Sequence, residues 1–437
     1  MRLLRACTCL CAFIAGLLPS VSHAGGALDD SFSGDGWVRT LEVIAGSGQN
    51  YLPEEARGVA IQPDGKIVVT GEIQDSNSAW YFGVFRYLPN GELDPTFSND
   101  GWTVTKIGTF DFPYEVALGP NGTIIVVGET SCRITQCYAI VRYTSSGTLD
   151  TSFGGDGVVH TKIGRYCGCA LYDVAVRKSG KITAVGYTRK HGDALDDVLF
   201  GIIRLHSDGR LDKSFSGNGK RSIDFGFGDD LAESVTLLPR GKILVAGRGT
   251  KNLYRTQDDF AAARLRRDGS LDGSFSGDGK ATIDLGSHRG DGAYDSARQN
   301  DGRIVLAGAT TAGRSAKTKF GVVRLNGNGS VDRGFGVKRL NPTGYGAVAE
   351  AVVIHPDRSV IVGGRGFTSA STDPSDWLIA RYRAGGSLMT AWGGDGIVRT
   401  NFGTGADSVQ ALGVTGGGKI VATGTIYASQ GLARYLN

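Results

Sequence analysis

Asp64-Gly-Lys-Ile-Val-Val-Thr-Gly71, continued by Phe82-Gly-Val-Phe-Arg86 and then by Leu93-Asp-Pro-Thr-Phe97, is the stretch whose reading decides the fold. An aspartate-glycine pair between apolar runs is a hairpin turn, because glycine accepts the positive φ that tight turns demand. The run after the turn is therefore one strand, and the run before it, Gly58 to Gln62, is its antiparallel partner. The segment ending at Arg86 makes a third strand, and Trp102 to Lys106 makes a short fourth.

The same order returns along the chain. The turn and its apolar strand recur at Asn121 to Gly128, Ser179 to Gly186, Arg240 to Gly247, Asp301 to Gly308, Asp357 to Gly364 and Gly417 to Gly424, with a closing glycine each time. The Leu-Asp-x-x-Phe segment recurs at Leu28 to Phe32, Leu149 to Phe153, Leu211 to Phe215 and Leu271 to Phe275, and degraded copies end at Phe335 and Trp392. From Phe32 to Trp392 the seven aromatics span 360 residues in six steps, a period of 60.

Four short strands and no helix per unit, seven times over, predict an all-β chain: a seven-bladed β-propeller of four-stranded blades, since one blade cannot bury both faces until neighbours stack on it. The chain begins with a fourth-strand segment, Gly36 to Leu41, and stops after a third strand, Gly431 to Leu436. Pairing an N-terminal strand with the C-terminal blade would close the ring and remove two exposed edges. A β-helix or an open sandwich array is the alternative use of repeated strands.

The units resemble the bacterial delta-60 repeat and, more distantly, NHL-like propeller repeats. The likeness rests on the turn, the strand closed by glycine, the Arg-Tyr or Arg-Leu pair and the Leu-Asp-x-Ser-Phe segment recurring in fixed order over nearly all of Ala27 to Asn437. It implies an exported propeller and no established activity. Met389 stands where the repeat aspartate belongs, and the turn at Gly334 to Lys338 is shortened.

Arg2 and Arg5, an apolar stretch from Cys9 to Leu18, and Ser22-His-Ala24 read as a signal peptide over residues 1–24, cleaved after Ala24. The apolar stretch is too short to span a bilayer, no other run approaches the required length, and the mature chain is expected to lack a transmembrane segment. The single propeller domain would then occupy residues 25–437, in the periplasm, at the cell surface or in the medium. Of the seven cysteines, Cys132, Cys137, Cys167 and Cys169 remain after cleavage, and an oxidising compartment favours disulfides among them. Three pairings are open, and the ring strain of a Cys167–Cys169 bond favours pairing between the two clusters.

Charge narrows the partners. Lys and Arg number 47 against 43 Asp and Glu, a net charge of +4 that falls to +2 without Arg2 and Arg5, so no basic face for nucleic acid is expected. Arginine and aspartate stand eight residues apart in five units, beginning with Arg86, Arg142, Arg204, Arg264 and Arg324, while ring closure would bring Arg434 to Asp29 and leave Arg381 opposite Met389. A residue repeated in every blade serves packing, so this set reads as structural. The repeat aromatics read the same way, as wedges between blades. The aspartates of the Gly-Asp-Gly-like turns lack the alternating ligand run of a calcium loop.

Chemistry is sparse. A carboxylate precedes the first strand of each unit, at Glu55, Glu115, Asp173, Glu233, Asp295, Glu350 and Asp407. If those strands line the channel, the carboxylates gather at its mouth and make Glu115, Asp173, Glu233, Asp295, Glu350 and Asp407 candidate ligands for calcium, or a negative surface for a cationic ligand. No H-E-x-x-H helix or G-x-S-x-G elbow occurs, and no cofactor is implied. Three long connections, Tyr187 to Val198, Arg248 to Asp259 and Gly366 to Asp376, differ between copies and open on that same face. The expectation is a monomeric binding scaffold that takes a protein or envelope glycan there. A calcium-dependent, lactonase-like hydrolase with its metal at the channel mouth is the alternative.

Overall fold

The computed structural model describes residues 25–40, 51–132, 135–164, 168–190, 197–250, 258–286, 290–311, 317–369, 375–403, 405–427 and 429–437. They form seven four-stranded antiparallel sheets arranged as the blades of a propeller. The first strands of blades one to seven are Tyr51–Ile61, Asp111–Leu118, Leu171–Val176, Phe227–Leu237, Asp291–Arg298, Ala347–Ile354 and Ser408–Val414. Six blades use consecutive strands. In the seventh the fourth strand is Trp37–Arg39, antiparallel to Ser429–Tyr435, with Val38 opposite Leu432. The described residues of the blades include the 3-10 turns Pro120–Gly122 and Pro239–Gly241.

The second strands are continuous apolar runs rather than alternating ones because each is covered on both faces. Ile67, Val68 and Val69 are buried, as are Ile124 to Val127 and Ile304 to Ala307. The core accordingly lies between blades, where Val68, Phe82 and Phe97 of blade one pack on Val116 and Ile124 of blade two. Phe32, Phe97, Phe153, Phe215 and Phe275 are 0% exposed and Trp392 is 1% exposed. Rings so enclosed cannot stack on a sugar; each contributes roughly 1.5–3 kcal/mol as an interblade wedge.

The repeated charges staple the blades. Arg86 Nε lies 2.7 Å from Asp94, its guanidinium sits 4.7 Å over Phe97, and its other end donates to the carbonyl of Ser145 in the next blade. Arg142, Arg204, Arg264 and Arg324 repeat this, with aspartates at 2.8–2.9 Å and carbonyls of Ser207, Arg267, Gly327 and Ala384. The turn lysine joins them: Lys66, Lys181 and Lys242 reach Asp94, Asp212 and Asp272 at 2.9, 2.7 and 2.7 Å. Arg434 meets Asp29 at 2.6 Å across 405 residues of sequence. Arg381 does not go unpaired opposite Met389. It binds Asp357 at 2.8 Å and Ser359 at 3.0 Å, and Ser359 occupies the place of the turn lysine.

The closing glycines answer to a bulge. Each first strand carries one extra residue opposite the glycine, as between Pro113 and Glu115 facing Gly128 and Val127. A Cβ at Gly128 would run into the carbonyl oxygen of Phe112, and one at Gly308 into that of Gly292. The aspartates of the Gly-Asp-Gly turns stay local: Asp156 and Asp278 accept the amides of Val158 and Lys280, two residues on.

Candidate functional site

The bulges aim one side chain per blade at the channel. In blade order these are Arg57, Tyr114, Tyr172, Glu233, Tyr294, Glu350 and Gln410, and all seven line a central cavity of about 400 Å³. Fifteen residues further on, just past each closing glycine, the second strand places a mate: Glu72, Glu129, Tyr187, Arg248, Ala309, Arg365 and Thr425. Arg57 bonds Glu72 at 2.8 Å, the Tyr114 hydroxyl donates to Glu129 at 3.2 Å, and the rings of Tyr172 and Tyr187 stand 5.8 Å apart. Glu233 and Arg248, like Glu350 and Arg365, are 3.7 Å apart. Gln410 and Thr425 both donate to Glu55, at 2.8 and 3.3 Å. Tyr294 faces Ala309, so blade five alone carries a small mate.

One residue beyond the bulge is a second level, made of Gly58, Glu115, Asp173, Ser234, Asp295, Ala351 and Ala411. Its carboxylates are tied to backbone and to neighbouring blades. Asp173 accepts the amides of Val174 at 2.5 Å and Val235 at 2.6 Å. Asp295 accepts those of Ser296 at 2.6 Å and Val352 at 2.7 Å, and the Ser234 hydroxyl at 3.0 Å. Burial and the charge of Asp295 push Asp173 up to about 7. Burial pushes Asp295 up to about 6 and Glu233 to about 7, the latter against the pull of Arg248. Glu115 is raised well above its ordinary value by burial and by Asp173, and burial raises Glu350 as well.

Five of the six candidate ligands, Glu115, Asp173, Glu233, Asp295 and Glu350, therefore meet in one cavity, on two levels rather than one ring. Asp407 is placed differently. It sits three residues before the bulge of its blade, where Asp111, Asp230 and Asp291 sit in theirs, and accepts the Tyr427 amide at 2.9 Å, as Asp230 accepts Phe225 and Asp291 accepts Leu285. These four aspartates fasten the strand entries. Sequence reasoning missed Arg57 and the three tyrosines, and the constant offset of fifteen to the residue after the closing glycine is the signal that finds them.

Among the described residues, the group of three acidic, histidine or cysteine side chains whose ligand atoms all lie within 4.8 Å of one another is Asp259, Asp284 and Asp291; no three of the channel acids meet that spacing. Cys132 forms no disulfide. Cys167 lies outside the described residues, and the Cys169 thiol donates to the carbonyl of Gln136 at 3.5 Å, which brings the second cysteine cluster beside the first. Most of the three long connections also lies outside them, at residues 191–196, 251–257 and 370–374, as does the leader, 1–24.

The face on which the first strands begin carries a border of exposed apolar side chains. Leu52, Phe110, Phe227 and Tyr345 are each 42–49% exposed and stand where the first strands of blades one, two, four and six begin. Leu149, the fifth exposed large hydrophobic among the described residues, is on the opposite face. No described helix is long and apolar enough to cross a membrane.

Residues 62–97, 119–153, 239–275 and 299–335 match a family model described as a domain of unknown function, DUF5122, β-propeller. The matches fall on the shared part of blades one, two, four and five. This chain is a β-propeller repeat protein. No curated protein matches it. Solved structures similar to this propeller include a PL25 ulvan lyase, at 10% identity and TM-score 0.46, covering 89% of this chain and 95% of that one. Sqt1 of Chaetomium thermophilum follows at 12% and 0.45, covering 89% and 96%, and a glucose dehydrogenase at 13% and 0.39, covering 72% and 95%. Likeness at this level bears on no function.

Proposed function

We propose that this propeller is exported and works as a binding scaffold, engaging a protein partner with the face on which its first strands begin. The observation that carries the reading is the border of Leu52, Phe110, Phe227 and Tyr345. Exposed large apolar side chains gathered on one face mark an interaction surface, and the opposite face is taken up by the repeated turns that hold the blades together. Specificity in a ring of equal blades comes from positions where the copies differ, and the bulge residues with their mates differ between blades, except that blades four and six share a Glu-Arg pair.

A photo-crosslinking amino acid at Phe110 or Phe227, compared with one at Leu149, tests the reading in envelope extracts. Discrete adducts from the first two positions and none from Leu149 support it. Adducts from all three alike, or from Leu149 only, reject it.

A further inference from the structure

The channel wall is lopsided at its second level. Blades two to five supply Glu115, Asp173, Ser234 and Asp295, whereas blades six, seven and one supply Ala351, Ala411 and Gly58. Acids hold one side and small residues leave the other side open onto the cavity of about 400 Å³. One level up, Tyr114, Tyr172 and Tyr294 share the wall with Arg57, which Glu72 pairs, with Gln410, and with Glu233 and Glu350, which stand 3.7 Å from Arg248 and Arg365. Beside it Glu129, 7% exposed, takes the Tyr114 hydroxyl on one oxygen and has no hydrogen-bond partner on the other.

Among the described residues no lysine or arginine forms an ion pair with Glu115, Asp173 or Asp295; Asp173 and Asp295 are held by backbone amides, and Asp295 also by the Ser234 hydroxyl. Like charges enclosed without a counter-charge repel, so such a set is neutralised by protons or by a cation. A bare divalent ion gathers six to eight oxygens at about 2.3–2.6 Å, whereas Glu115, Asp173 and Asp295 do not bring three ligand atoms within 4.8 Å of one another. Charges held apart along an alkyl chain suit them better. Ammonium groups pair with carboxylates at separate levels, and tyrosine faces attract a cation lying over them.

We propose that the channel binds a linear di- or polyamine, with one ammonium among Glu115, Asp173 and Asp295 and another beside the tyrosines with Glu233 and Glu350. The site is separate from the apolar border, so its failure would leave the docking face untouched.

Titration calorimetry on residues 25–437 at low salt and pH 8, with putrescine, spermidine, butylamine and calcium chloride as probes, tests this. One diamine or polyamine should bind per chain, at least tenfold more tightly than butylamine. Affinity should fall at least tenfold in the Asp173→Asn/Asp295→Asn double variant and stay level in Asp64→Asn, which alters a turn on the other face. It should also fall at least tenfold at pH 5.5, where the amines keep their charge and the acids lose theirs. Absence of amine binding, butylamine binding as tightly as putrescine, or one-for-one displacement of spermidine by calcium would each overturn the proposal. Should the double variant not fold, the wild-type pH comparison decides, and equal affinity at both pH values overturns it.

Discussion

Arg381 is held by Asp357, 2.8 Å away in the preceding hairpin turn, because the position eight residues after it is Met389 rather than aspartate. In blade one the aspartate of that hairpin turn, Asp64, stays within its own turn, accepting the Lys66 amide and standing 3.9 Å from the Lys66 ammonium. The loss of one carboxylate is thus offset by a second one that the repeat already contained.

That exchange makes Asp357 unequal to its counterparts. Arg381 is 3% exposed and Asp357 is 42% exposed, so the pair is partly screened. Asp357→Ala should cost about 1–2 kcal/mol, whereas Asp64→Ala should stay within about 0.5 kcal/mol. Urea unfolding of the two variants against wild type measures the difference.

Two sets of carboxylates should shape stability against pH in opposite directions. Burial raises the Asp29 carboxyl, but hydrogen bonds from Lys419, Ser31 and Arg434 outweigh it and leave it at about 2; Asp332, under Arg303 and Arg324, is also at about 2. A lowered native value means stability present above pH 4 and lost as the pH falls towards 2. Asp173 and Asp295 are raised, to about 7 and about 6, so their contribution is full below pH 4 and is lost as the pH rises through 6 to 7. Thermal melts should peak between about pH 4 and 6. Asp173→Asn should flatten the neutral limb, by on the order of 3 kcal/mol at pH 8, and leave the acid limb in place.

The closing glycine should be the least replaceable residue of the repeat. Gly128→Ala sets a methyl against the Phe112 carbonyl in a buried hairpin and should cost about 2–4 kcal/mol. Gly416→Ala, where a Cβ meets nothing within 4 Å, should stay within about 0.5 kcal/mol. Paired denaturant curves distinguish them.

Export predicts a chain that begins at Gly25. Intact mass and N-terminal sequencing of the protein recovered outside the cytoplasm should show loss of residues 1–24; a full-length product starting at Met1 would exclude the leader.

The sequence made the blades legible because packing repeats: Arg86, Asp94 and Phe97 recur at six of the seven places where two blades meet, and a period of 60 exposes them. The Arg434–Asp29 contact follows from the same period carried across the ends. The channel was legible only in part. Glu115 and Asp173 stand out as acids, but whether an acid reaches the cavity depends on its register against the bulge, and a bulge leaves no mark in composition. Asp407 precedes its bulge by three residues and so fastens a loop, while Tyr172, at the bulge itself, resembles any strand tyrosine until its partner Tyr187 is placed fifteen residues on.

The fourth strand of the last blade has a bearing on how the molecule comes to exist. Trp37–Arg39 is among the earliest parts made, and its sheet is not complete until Ser429–Tyr435 has been made. Contacts between such distant segments form slowly, although the entropy of closing so long a loop rises only with the logarithm of its length. Six blades can stack before the seventh has its outer edge, so an open arc precedes the closed ring. Completion of the ring is therefore a late event in folding.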